Sequence, residues 1–107
     1  MSTAPKSEIL KMTELVSYQA GSVVSRQITK ADAGNVTLFA FDQDQELSEH
    51  TAPFDALLHV LEGTAEIKIS GKPFHLQAGD AIIMPADEPH AVRATQRFKM
   101  LLTMIRK

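Results

Sequence analysis

An all-β fold, a single sandwich or barrel, is what this 107-residue sequence predicts, and three observations predict it. Short runs rich in β-branched and aromatic residues recur at intervals of about ten residues. Gly, Pro, Asn and Asp stand between the runs, where the chain must reverse. Within a run the side chains alternate with the period of a strand, as where Ala65, Ile67 and Ile69 alternate with Glu66, Lys68 and Ser70.

The elements follow in order. Residues 1–14 are polar, carry an early Pro5 and read as an N-terminal arm with one helical turn in "KSEILKMTEL". "SVVSRQIT" is the first strand, and "NVTLFAF" follows the turn Ala33-Gly34-Asn35 as the second. "DQDQELSEH" reads as a polar connection. "DALLHVLEG" and "TAEIKIS" read as a hairpin closed at Glu62-Gly63. "GKP" then turns into "FHLQ", "AGD" into "AIIMP" and "DEP" into "HAVRA", and "RFKMLLTMIRK" closes the chain. No repeat and no low-complexity segment interrupts this series.

Two strands are apolar on both faces. In "FKMLLTMI", Phe98, Met100, Leu102 and Met104 line one face while Leu101 and Ile105 lie on the other, and "DALLHVL" behaves alike. Burial on both sides calls for a second sheet on one side and further cover on the other. A partner subunit is the expected cover, so a homodimer is expected. The alternative cover is the N-terminal arm.

Length and composition bound the function. A chain of this size forms one domain, 1–107, burying roughly two thirds of its unfolded surface. The net charge of −2 provides no basic field, so neither nucleic acid nor an anionic membrane is an expected partner. The N-terminal segment has no apolar core of a secretory signal, and a cytoplasmic location is expected. With no cysteine, disulfides, thiolate nucleophiles and thiolate metal ligands are excluded. No Gly-rich phosphate loop and no Ser/His/Asp constellation is present. The residues left to carry chemistry are the histidines His50, His59, His75 and His90 and the carboxylates around them. Parity places His59 on the face opposite Ala56, Leu58 and Val60, unless a bulge intervenes. His75 reads as a solvent-facing or cross-strand residue.

"GDAIIMPADEPH", Gly79 to His90, resembles the second conserved motif of the cupin superfamily: glycine, five residues, proline, four residues, histidine. Gly79, Pro85 and His90 fall on its three positions, with Asp87 where the family usually has glycine. "EHTAPFDALLHVLEG", Glu49 to Gly63, is similar to the first motif, and "TAEIKISGKPFHLQA" bridges the two as in the smallest single-domain cupins. The resemblance covers roughly Val36 to Lys107 and implies a double-stranded β-helix, or jelly-roll barrel.

It also implies a ligand set. Metal-binding cupins carry His-x-His and a glutamate in the first motif and a histidine in the second. His50 falls on the first histidine, Ala52 on the second, Ala56 on the glutamate, and His90 on the histidine of the second motif. Half of the set is therefore alanine, and two imidazoles alone make a weak site. The expected site is a small-molecule pocket lined by His50, Ala52, Phe54, Ala56, Leu58, His90 and Val92. The alternative is a metal-dependent enzyme of the dioxygenase or isomerase type. There His50 and His90 would hold a divalent Mn, Fe, Ni or Zn, completed by Glu46, Glu49, Asp55 or His59. A structural or accessory module is the third reading.

Overall fold

Alternation alone would let these strands stack in one sheet, but the chain divides them between two. A computed structural model describes residues 3–106. Its strands are β1 (Val23–Ala31), β2 (Gly34–Phe41), β3 (Glu46–His50), β4 (Phe54–Glu62), β5 (Thr64–Ile69), β6 (Lys72–Gln77), β7 (Ala81–Met84), β8 (His90–Arg93) and β9 (Phe98–Arg106). A five-stranded sheet has the order β1-β2-β9-β4-β7, and a four-stranded sheet the order β3-β8-β5-β6. Every pairing is antiparallel.

The two sheets close on one apolar interior. Phe41, Leu58, Val60, Ile67, Val92, Phe98 and Met100 are almost fully buried there. Phe41 and Phe98 stack with ring centroids 4.5 Å apart, an arrangement that adds about 1 kcal/mol to the area they bury. The inner faces of β4 and β9 supply Ala56, Leu58 and Val60 and Phe98 and Met100, as the two-residue period predicts.

Two expectations from the sequence are corrected. β4 and β5 are not a hairpin: β4 pairs with β7 and β9, whereas β5 pairs with β6 and β8. A single residue, Gly63, separates them at φ 78° and turns the chain from one sheet into the other. A two-residue turn would have returned the chain on itself. The tight hairpin is instead β5–β6, where Ser70 and Gly71 both take positive φ between the paired residues Ile69 and Lys72. The polar connection "DQDQELSEH" also contains a strand, β3, which is exposed apart from half-buried Leu47. One inward side chain in an otherwise polar edge strand gives almost no hydrophobic signal.

The N-terminal arm lies on the outer face of the five-stranded sheet. Ala4 and Val16 are buried with Ile28, Leu38 and Ala40, and Leu10, Met12, Leu15 and Tyr18 pack around them with Leu61 and Leu101. The expected helical turn is a 3-10 turn at Met12–Glu14. Ala4 donates its N–H to the Ile28 carbonyl at 2.9 Å. Lys99 reaches from β9 to the Thr13 carbonyl at 2.6 Å. The alternative cover is thus the one found over Leu61 and Leu101. No helix among the described residues is long and apolar enough to cross a membrane.

Candidate site at the His50–His90 pair

The site begins with a register irregularity. β3 pairs with β8 through Glu46–Arg93, Leu47–Val92 and His50–His90, with a shift between Leu47 and His50. Three residues apart on a regular strand, Leu47 and His50 would face opposite ways; their partners Val92 and His90, two apart, face the same way. The extra residue in β3 absorbs the difference and turns His50 toward His90. The rings meet edge to face with centroids 4.4 Å apart. His90 is buried at 6% exposure, while His50 is open to solvent. The pair therefore runs from the surface to the edge of the core.

The loop before β8 is braced from three sides. Asp87 donates its N–H to the Ala52 carbonyl at 2.8 Å, and Ala86 donates to Asp55 Oδ1 at 2.9 Å. Ser70 donates its N–H to the Pro89 carbonyl at 2.8 Å and its hydroxyl to Glu88 Oε1 at 2.9 Å. Asp87, at the usual glycine position of the motif, has φ 65°. Asp is among the few non-glycine residues that tolerate this region, so the turn survives the replacement.

Both rings are fixed in the same tautomer. His50 Nδ1 lies 2.7 Å from the Ser48 carbonyl and His90 Nδ1 lies 3.2 Å from the Glu88 carbonyl. A carbonyl can only accept, so each Nδ1 carries the proton and each neutral ring keeps its lone pair on Nε2. Burial pushes the His90 pKa below the ordinary value. The adjacent His50 acts the same way and the Glu88 carbonyl opposes them. Near neutral pH His90 is thus uncharged, with Nε2 as an acceptor.

The other predicted site residues separate into groups. Ala52 and Phe54 are half-buried beside the pair in sequence, and Arg106 lies over the Phe54 ring at 5.2 Å. Ala56, Leu58 and Val92 are buried at 3%, 0% and 2% and belong to the core cluster. The candidate third ligands do not join the pair. Asp55 is committed to Ala86 and pairs with Ile105 on the outer face. His59 also faces outward, because the irregularity in β4 falls between Val60 and Glu62, after it. Glu46 lines a small surface cavity of about 160 Å³ with Glu66, Lys68 and Arg93. His75 bonds across the strands to Glu66 at 3.2 Å.

Among the described residues no three His, Asp or Glu side chains come together to hold a metal. The anchored Nδ1 atoms are the orientation a metal-binding histidine needs, yet the donor set stops at two. It does not fit a resident divalent ion held by three protein ligands.

Sequence reasoning missed a second polar cluster. Tyr18 donates to Glu62 Oε2 at 2.6 Å, and Lys99 Nζ lies 3.9 Å from the same carboxylate atom. Arg97 and Lys99 both stand over the Tyr18 ring, at 5.2 and 5.0 Å. Arg97 also pairs with Asp42 at 2.8 Å, and Asp42 accepts from the Gly21 N–H at 2.7 Å. These bonds, the Gly21 N–H foremost and Arg97 next, hold its carboxyl down at about 2. Residues 18 and 62 are 44 apart in sequence and share no motif. The cluster fastens the arm to the barrel, beside an open groove of about 670 Å³ lined by Leu15–Gln19 and Val24–Arg26.

The sequence comparison agrees with the fold and the motif. Residues 37–105 match the family described as the cupin domain, and the chain belongs to the cupin superfamily. No curated protein matches it in sequence. Among solved structures it is similar to a conserved protein of unknown function from Streptococcus pyogenes: 32% identity, 100% of this chain and 96% of that one, TM-score 0.91. A cupin superfamily protein from Desulfitobacterium hafniense is similar at 26% identity, 99% and 97% coverage and TM-score 0.91. A cupin 2 conserved barrel domain protein from Leptotrichia buccalis reaches 37% identity and TM-score 0.88 over 91% of this chain and 47% of that longer one.

Proposed function

We propose that this cupin binds a small organic molecule at the His50–His90 pair, without a resident metal. The observation that carries the reading is the shared tautomer: both Nδ1 atoms are committed to backbone carbonyls, which leaves two Nε2 acceptors. A ligand for two acceptors brings hydrogen-bond donors, so a neutral hydroxylated compound suits the pair at pH 7. A carboxylate, which can only accept, suits it once an imidazole is protonated. Ala52 and Ala56 support the same reading, since each leaves an apolar methyl where metal-binding relatives of this motif carry a ligand. A neutral imidazole with a free Nε2 also serves as a general base toward a hydroxyl held against it.

Nitrogen-detected histidine spectra test this with glycerol, a pentose and acetate as probes. Hydroxylated probes should move the Nε2 resonances of His50 and His90 at pH 7.5, and acetate should do so only at lower pH. A response to acetate alone at pH 7.5 would overturn the assignment.

A further inference from the structure

Arg26 stands on the edge strand β1, on the same face as Val24. Its guanidinium offers several N–H donors, yet its one side-chain bond among the described residues is a long one, 3.4 Å to the Leu15 carbonyl. No carboxylate among the described residues pairs with it. The neighbouring cations are engaged: Arg97 with Asp42 at 2.8 Å, and Lys99 with the Thr13 carbonyl at 2.6 Å. Arg26 is half-buried and lines the groove of about 670 Å³ between the arm and β1. Leu15, Val16 and Val24 form the apolar wall of that groove, and Arg26 is the one charged residue on it.

We propose that this groove is a second binding site, which takes a small carboxylate with an apolar body. Its volume lies in the range of small-molecule sites, roughly 300–1,000 Å³, whose walls are mostly apolar and whose few polar groups fix orientation. A guanidinium without an anion of its own meets a carboxylate through two parallel N–H···O bonds. No carboxylate lines the groove to repel the incoming one.

A second donor stands beside the guanidinium. The Asp42 N–H bonds to the Ser22 carbonyl at 3.1 Å, which sets the alternation of the β1–β2 ladder. Val24 and Arg26 therefore bond to β2, and Ser25 turns its N–H to the free edge, where the groove runs. The site is independent of the histidine pair, which belongs to the other sheet.

Amide and arginine Nε–H shifts at pH 7.5 test this with hexanoate as the probe. Acetate supplies the charge alone, and hexan-1-ol the apolar body alone. Hexanoate should shift Leu15, Ser25 and the Arg26 Nε–H along one saturable curve, and each control should bind about tenfold more weakly or worse. Arg26→Met should weaken hexanoate by about tenfold or more and erase its advantage over hexan-1-ol, as loss of a hydrogen bond to a charged group does. Arg26 also touches the arm, so Ser17→Glu gives a second reading. It sets a carboxylate at an exposed lining position and should weaken hexanoate while hexan-1-ol binds as before. Lys30→Met, at an exposed cation further along β1, should change nothing. No saturable shift, shifts centred on His50 and His90, equal binding of hexanoate and hexan-1-ol, or undiminished binding by folded Arg26→Met would overturn the proposal.

Discussion

His50 and His90 are register partners on adjacent antiparallel strands, and each binds the carbonyl two residues before it through Nδ1. Each ring is anchored by its own backbone, and the two meet edge to face with centroids 4.4 Å apart.

The first prediction concerns pH. The folded protein holds the His90 pKa below its unfolded value near 6.5, so the unfolded chain binds the proton more readily. Stability from this group is complete above the unfolded pKa and is lost as pH falls through the folded one. Urea unfolding from pH 7.5 to 5.0 should show stability declining with acid. His90→Gln should flatten that slope, and an unchanged slope would refute the assignment.

Tyr18 gives the second. Burial first, then its bond to the Glu62 carboxylate, drives its pKa far above 10.0, against the pull of Arg97. Tyr18 is the only tyrosine and the chain has no tryptophan, so ultraviolet absorbance reads this one phenol. Tyrosinate should be absent in the native protein past pH 11 and should appear together with unfolding. A raised folded pKa contributes stability that is complete below the unfolded value and is lost as pH rises through the folded one.

Removing the hydroxyl isolates that bond. Tyr18→Phe should destabilise by about 1–2 kcal/mol, the range for a hydrogen bond to a charged acceptor. Hydrogen exchange at the Ala4 amide, bonded to Ile28 across the arm's contact, should accelerate with it. Loss of stability without faster exchange at Ala4 would mean that the clasp does not hold the arm.

Gly63 is the fourth. Its φ of 78° and its position against Arg97 and Phe98 leave no room for a side chain, since a Cβ would run into the Arg97 carbonyl and the Phe98 backbone. Gly63→Ala should destabilise by roughly 2–4 kcal/mol in thermal or urea unfolding. Gly71→Ala, with positive φ but open space around it, should cost about 1 kcal/mol.

The difference between these glycines marks what the sequence could tell. Strand positions were legible because alternation depends only on neighbours: Ala56, Leu58 and Val60 are buried and His59 is not. The switch of sheets at Gly63 was not, because hairpin and corner share the same glycine signal. Of the site, His50 and His90 were legible through the motif and lie in contact. The bulge that makes them meet leaves no trace in a polar strand. The two-faced strands β4 and β9 pointed to cover on the outer face, but the share belonging to the arm depends on packing among residues far apart in sequence. Val16 against Leu38 is one such contact cluster.

Metal content per chain most directly tests the central claim that Ala52 and Ala56 leave a two-histidine organic site. Wild type and Ala52→His/Ala56→Glu would be loaded with Mn or Zn, treated briefly with EDTA, desalted and measured by elemental analysis. The account predicts only traces in the wild type and about one ion per chain in the double variant, whose four ligands complete the set. Near-stoichiometric metal that survives EDTA in the wild type and disappears in His90→Ala would contradict it.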